Sequence, residues 1–211
     1  MSNLDFIKSE ICKAGERLYN KGFMPGASGN ISYRVEENIL ITASGCCLGT
    51  LLEKDIILID MDGNSLNKNC TPSSEKLMHV EIYKKRPDVN CIIHAHPPKA
   101  TALSIAGKEL RSPIIAEATV CLGEIPIVPY ETPSSLRLAQ DIAVYFNEHE
   151  AVLMANHGAA VCGKTLEQTF SKMETLEFLS EVFITTELLG SRNEIPAEKL
   201  PDLIKLRESI K

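Results

Sequence analysis

Asn90-Cys91-Ile92-Ile93-His94-Ala95-His96-Pro97-Pro98 is the stretch on which the fold turns. Residues 90–96 read as a strand, and the double proline ends it. Side chains two apart share one face of a strand. His94 and His96 therefore project together, while Ile93 and Ala95 point the other way. Before this strand, Thr71-Pro72-Ser73-Ser74-Glu75 opens a helix that runs to Arg86 and stops at Pro87, with serine as a favoured N-cap. After it, residues 99–106 form a short helix. A strand bracketed by helices is the first sign of an α/β layer.

The rest of the chain repeats that alternation. Leu4, Ile7, Ile11, Ala14 and Leu18 recur at three- and four-residue steps, which predicts an amphipathic helix over 4–20 ended by Gly22. A Gly-rich turn follows at 25–30. Ile31, Tyr33 and Val35 then alternate with polar residues as a half-buried strand, and Glu36-Glu37 closes a hairpin with a strand over 38–42. Residues 43–45 make a second small-residue loop. Residues 56–61 form a buried strand ending at Asp62-Gly63. Downstream come a strand over 125–130, a helix over 135–149, a strand over 151–155, a turn at Asn156-His157-Gly158, and a continuation in the sheet at 159–162. Thr165-Leu166-Glu167-Gln168 is a capping box that opens the longest helix, with Leu166, Phe170, Met173, Phe178 and Val182 on or near its apolar face. A last helix lies near 197–209. Helices and strands interleaved after an initial hairpin predict a layered α/β protein with a mixed sheet covered by helices.

Bulk properties narrow the function classes. A chain of 211 residues suits one domain over residues 1–211, with no linker to divide it. Apolar residues at 44% and charged residues at 24% match an ordinary soluble globular protein. Net charge is −6 and no stretch gathers enough Lys or Arg to track a phosphate backbone, so nucleic acid is not an expected partner. No window approaches the ~18 apolar residues of a membrane span, and MSNLDFIKSE has no apolar core of a signal peptide. The seven cysteines include no C-x-x-C spacing, which argues against a disulfide framework or a cysteine zinc site. A cytoplasmic protein is expected.

The chemistry centres on imidazoles. Two histidines at i and i+2 of a strand can bind one metal, although H-x-H alone fits two unrelated half-buried histidines about as well. His157 sits at another strand-end turn, where Asn-His-Gly by itself reads more readily as a plain turn. A third imidazole there would complete a three-ligand site with an open position, as in catalytic zinc centres. Glu75 begins a helix just after Ser73 and Ser74. Helix N-terminal amides stabilise a carboxylate for structural reasons alone, yet they also form an anion site beside which a carboxylate could work on a phosphorylated substrate. The turns at 26–30 and at Ser44-Gly45 are of the kind that form amide nests for phosphate. His79 and His149 read as helix or helix-end residues and are assigned no role.

In order, Gly29-Asn30, Thr42-Ala43-Ser44-Gly45, Pro72-Ser73-Ser74-Glu75, His94-Ala95-His96 and Asn156-His157-Gly158 resemble the class II aldolase/adducin family. Within it they look most like the fuculose-1-phosphate aldolases. The segments 81–88 and 125–130 fit the same pattern, and the resemblance covers roughly residues 1–190. It implies a three-layer α/β/α sandwich with a mixed, largely antiparallel central sheet, usually as a homotetramer. It implies one Zn2+ per chain on His94, His96 and His157, in a type of site that also accepts other divalent ions. It implies Glu75 as the catalytic acid/base, and a substrate phosphate held by Asn30, Ser44, Gly45, Ser73 and Ser74, with Gly29 lining the pocket. The implied reaction is reversible cleavage of a ketose 1-phosphate, such as fuculose 1-phosphate, to dihydroxyacetone phosphate and an aldehyde.

The chain also departs from that pattern. Fuculose-phosphate aldolases carry a tyrosine between the second and third ligands; Ile115 falls near that place here, with Glu117 close by. The tail over 200–211 has no tyrosine, where that branch uses one. The loop Ser44-Gly45-Cys46-Cys47-Leu48-Gly49-Thr50 leans towards decarboxylase or dehydratase relatives. Glu117 and Tyr130 are candidates for the aldehyde side, and read equally well as a surface carboxylate and a packed strand-end tyrosine. Sister enzymes on the same scaffold remain alternatives: a pentulose-phosphate 4-epimerase, a phosphotetronate decarboxylase or a methylthioribulose-phosphate dehydratase. A non-enzymatic adducin-like interaction domain ranks last, because it has no reason to keep three ligands and Glu75.

Overall fold

Strict alternation of side chains along β4 (Cys91–Ala95) separates two cores. Cys91, Ile93 and Ala95 face one core and Ile92 faces the other. The computed structural model describes residues 3–67 and 69–210. Its sheet has seven strands in the order β3-β2-β1-β4-β7-β6-β5. These are β1 (Asn30–Val35), β2 (Asn38–Thr42), β3 (Ile56–Ile59), β4, β5 (Ile127–Val128), β6 (Ala151–Met154) and β7 (Gly158–Gly163). Neighbours pair antiparallel except β5 with β6, which run parallel. β4 lies in the middle, between β1 and β7.

Helices cover both faces. Ile11, Ala14 and Leu18 of α1 (Asn3–Asn20), Ala100 and Leu103 of α3 (Pro98–Ala106), Ala118 of α4 (Ala116–Cys121), and Phe170, Met173, Leu176 and Phe183 of α6 (Leu166–Leu189) share one core with β4's odd-numbered residues. Met78, Val80, Ile82 and Tyr83 of α2 (Lys76–Lys85) pack with Leu138, Ala139 and Ile142 of α5 (Leu136–Tyr145) on the opposite face. The result is the expected three-layer α/β/α sandwich. A last helix, α7 (Leu200–Ile210), packs on α4. Among the described residues no helix is long and apolar enough to cross a membrane, and all seven cysteines are free.

Local chemistry explains where elements differ from the sequence reading. The strand expected over 125–130 contracts to β5, because Pro126 and Pro129 flank it and neither has an N–H for the ladder. The helix after Ser73 starts at Lys76, with Glu75 rather than a serine as its N-cap; the Ser73 hydroxyl instead accepts from the Glu75 N–H at 3.2 Å. Ser135 does cap α5, accepting from Leu138 N–H at 3.1 Å. Thr165 caps α6 through Gln168 N–H at 3.1 Å, but the Gln168 carbonyl reaches back to Lys164 N–H rather than to Thr165. The short helix α4 has no counterpart in the sequence reading, since its six residues are too few to show a period.

Candidate active site

His94 and Asn30 stand directly opposite each other where β4 pairs with β1. Both side chains point to the α2 face, because β1 and β4 put Ile31 and Ile93 on the other one. His94 is fully buried, and its Nδ1–H donates to Ala159 O of β7 at 2.9 Å. That bond fixes the tautomer and leaves Nε2 bare. His96 follows β4, tied down by its own N–H to Phe23 O at 2.9 Å. His157 lies in the β6–β7 turn, where Asn156 takes a positive φ of 56° that asparagine tolerates well. Gly158 leaves room for His96: a Cβ there would run into the His96 ring and come within 2.6 Å of Ala95 O.

These segments bring the three imidazoles together. Ring centroids are 4.8 Å apart for His94–His96 and for His94–His157, and 5.3 Å for His96–His157. One nitrogen from each lies within 4.8 Å of the others, so the group could hold a metal ion. Two metal–nitrogen bonds of about 2.1 Å span about 4.2 Å at most, so a small ring rotation closes any wider gap. Buried His94 Nε2 and Glu75 Oε1 have no aligned hydrogen-bond partner, and His157 turns its Nε2 to the same carboxylate at 3.5 Å. Orphaned polar atoms converging in one buried place fit a cation.

Glu75 reaches in from the start of α2. Its Oε2 is 3.2 Å from His94 Nε2 and its Oε1 is 3.5 Å from His157 Nε2, near enough for charge to act without a linear bond. Burial alone would push this carboxyl up; the His94 and His157 imidazoles and an Asn30 Nδ2–H at 2.9 Å outweigh it and hold the group well below the usual carboxylate range. Burial, reinforced by His94, pushes His96 down to about 3 and His157 down to about 4. His94 is also pushed down by burial, but Glu75 more than offsets this and raises it. Glu75 thus sets its carboxylate against the bare His94 Nε2 and against His157 Nε2, a grouping of donor atoms that a divalent ion would suit.

The predicted anion loops surround the opening. Ser44 N–H donates to Thr71 O and Ser73 N–H to Thr42 O, both at 3.0 Å, which zips the 43–45 loop to the 71–75 loop. Gly29, Asn30, Ser44, Gly45, Ser73 and Ser74 all line one cleft of about 220 Å³, together with Glu75, His96 and His157. His94 lies fully buried beside it. The aldehyde-side candidates are not gathered there. Tyr130 is 59% exposed beyond β5, Glu117 is exposed on α4, and Ile115 lines a separate cavity with Ile114, Ala118 and Leu179. Two residues that the sequence reading passed over do line the cleft: Pro133 and Ser134, the latter at a positive φ of 66°. A non-glycine residue in that conformation is a strained position of the kind that collects at functional sites. Sequence offered only the turn-rich Thr132-Pro133-Ser134-Ser135 as a signal. His79 was also missed; it is fully buried one helical turn after Glu75 and bonded to Asn30.

Comparison with known proteins bears on the family and the fold. L-fuculose phosphate aldolase of Methanocaldococcus jannaschii is 37% identical over 177 residues, covering 84% of this chain and 92% of that one. The 3-oxo-tetronate 4-phosphate decarboxylase of Escherichia coli strain K12 is 31% identical over 191 residues, covering 88% of each. A solved structure of L-fuculose 1-phosphate aldolase superposes with a TM-score of 0.88 at 28% identity, covering 100% of this chain and 97% of that one. Residues 9–184 match the family described as Class II Aldolase and Adducin N-terminal domain. With that match and that fold, the chain belongs to the class II aldolase and adducin family.

Proposed function

We propose that this protein is a divalent-metal-dependent aldolase that reversibly cleaves a ketose 1-phosphate, such as fuculose 1-phosphate, to dihydroxyacetone phosphate and an aldehyde. The observation that carries the reading is the placement of Glu75 between His94, His157 and Asn30 at the edge of a cleft lined by two small-residue loops. His94, His96 and His157 would hold the metal, with zinc as the expected ion. When bound, it supplies Lewis-acid stabilisation of the negative charge that develops as the carbon–carbon bond breaks. Ser44, Gly45, Ser73, Ser74 and Asn30 bind and orient the phosphate, with Gly29 beside them, remote from the reacting bond. Glu75 removes a proton from the triose carbon in the condensation direction and returns it in the cleavage direction.

The family resemblance also supports a homotetramer, while chain length and the cysteine pattern support one domain over residues 1–211 in the cytoplasm. Phosphotetronate decarboxylation is the second reading, favoured by the loop Cys46-Cys47-Leu48-Gly49-Thr50 and by the similarity to the Escherichia coli decarboxylase. Incubating the zinc-loaded protein with a panel of ketose 1-phosphates and 3-oxo-tetronate 4-phosphate separates the two. Release of dihydroxyacetone phosphate from a ketose 1-phosphate is expected; carbon dioxide alone, an epimer or a dehydrated product would move the protein to a sister activity.

A further inference from the structure

Behind Glu75, four side chains form a buried polar line between α2 and β1. Asn30 Nδ2 is 2.9 Å from Glu75 Oε2. Asn30 Oδ1 is in short contact with His79 Nε2. His79 Nδ1 is 2.7 Å from Ser32 Oγ, and Ser32 Oγ is 2.8 Å from the Tyr83 hydroxyl. Asn30 is 3% exposed, Ser32 and His79 0%, and Tyr83 1%.

Asn30 turns the N–H side of its amide towards Glu75 Oε2, and that orientation sets the direction of every bond behind it. The amide oxygen then faces His79 and needs a donor, which places the imidazole proton on Nε2. His79 Nδ1 is therefore bare and must accept, and the Ser32 hydroxyl is the donor at hand. With its proton committed, Ser32 Oγ accepts from Tyr83, whose hydroxyl is nearer to it than to Asn90 O at 3.2 Å. Tyr83, Ser32, His79 and Asn30 thus each donate towards Glu75, and aligned bonds of this kind polarise one another in a low-dielectric interior. Burial, with a contribution from His94, pushes His79 down to about 3, so the ring stays neutral and the line keeps its direction.

We propose that His79 is a positioning residue for Glu75, its Nε2–H locking the Asn30 amide with the N–H side towards the carboxylate. The inference rests on Glu75 being the acid/base group. An asparagine amide is nearly symmetric in shape, and a half-turn would set its oxygen against the carboxylate. With its proton on Nε2, His79 opposes that half-turn, because the flipped amide would set an N–H against an N–H. A histidine present only to fill the core would not need both ring nitrogens engaged by side chains that lead to one carboxylate.

Two measurements on zinc-loaded protein test this. In kinetics, His79→Phe keeps ring volume without a donor, whereas His79→Gln carries an amide N–H to the same place. His79→Phe should retain its metal and lose about tenfold to hundredfold in kcat, the loss expected for a hydrogen bond serving a charged group. His79→Gln should recover most of it, and His79→Phe combined with Asn30→Ala should be no worse than Asn30→Ala alone. In the nitrogen-15 spectrum of the histidine rings, the His79 proton should sit on Nε2, exchange slowly, and shift on Asn30→Ala. A proton on Nδ1 would overturn the proposal. So would equal impairment in the Phe and Gln variants, or fully additive losses. If His79→Phe does not fold, the spectra of wild type and Asn30→Ala decide alone. The spectrum requires no substrate, so it tests the relay even if the aldol reaction fails to appear.

Discussion

At the scale of single residues, Glu75 is ionised because of its neighbours and despite its burial. That balance makes its charge removable with little change of shape. Glu75→Gln is expected to leave the metal content unchanged and to lower turnover by roughly a hundredfold to ten-thousandfold, the usual contribution of a positioned acid/base group. Metal analysis alongside steady-state kinetics checks it, and unchanged turnover would remove Glu75 from the mechanism. The complementary change is His96→Ala. It removes one of three nitrogens, and the protein should fall from about one bound divalent ion per chain to well below that when dialysed against chelator. A metal-free, fully active wild type would dispose of the metal site altogether.

At the scale of elements, the site depends on how strand ends are held. β4 delivers His94, and the prolines after it turn the chain straight into α3. The buried Glu177 carboxylate of α6 accepts from Lys99 N–H and Ala100 N–H at 2.9 Å each, satisfying two amides that the helix start would otherwise leave bare. This fastens the segment just after His96 to the longest helix. From the other side, Gly158 at the start of β7 passes close to the His96 ring. Gly158→Ala should therefore displace that imidazole and also crowd the Ala95 carbonyl of β4. A loss of about tenfold to hundredfold in metal affinity is expected, as for changes that misorient a ligand from outside the coordination shell. Competition with a chromophoric chelator measures it, and a far-ultraviolet dichroism spectrum like that of the wild type separates this from unfolding.

Across the whole molecule, the two ends of the sheet do different jobs. The site occupies the end where β4 finishes. At the opposite end, Glu150 accepts from Lys172 Nζ at 2.8 Å and from Arg86 at 3.2 Å, and Lys172 also donates to Cys162 O at 2.7 Å. Arg86 follows α2 and Lys172 belongs to α6, so this cluster joins the helical layers on the two faces past the ends of β6 and β7. Removing one cation from such a cluster takes away part of the compensation of a buried carboxylate, Arg86 remaining beside Glu150. Lys172→Met should cost on the order of 3 kcal/mol in denaturant unfolding, yet leave metal stoichiometry unchanged under native conditions. Loss of metal with unchanged stability would contradict this division of labour.

Sequence by itself determined the periodic elements and the chemistry that clusters locally. The steps of α1, the alternation of β1 and the shared face of His94 and His96 follow from backbone geometry, which acts over a few residues and is written there. So does the pairing of Ser73 and Ser74 with Glu75. On α6, Phe170 and Met173 are buried as expected but Phe178 is exposed. What only the tertiary structure decided is what meets across long separations. Asn30 came to face His94 through the β1–β4 register. His157 joined a cluster that its own turn did not announce, and His79, which reads as a plain helix residue, proved to be buried one turn from Glu75 and bonded to Asn30. Tyr130, Glu117 and Ile115 stayed outside the cleft, while Pro133 and Ser134 entered it from a turn that signalled only a helix start. The physical reason is the same in each case: hydrophobic burial sets which strands and helices pack together, and that packing brings into contact polar groups whose sequence neighbours say nothing of one another.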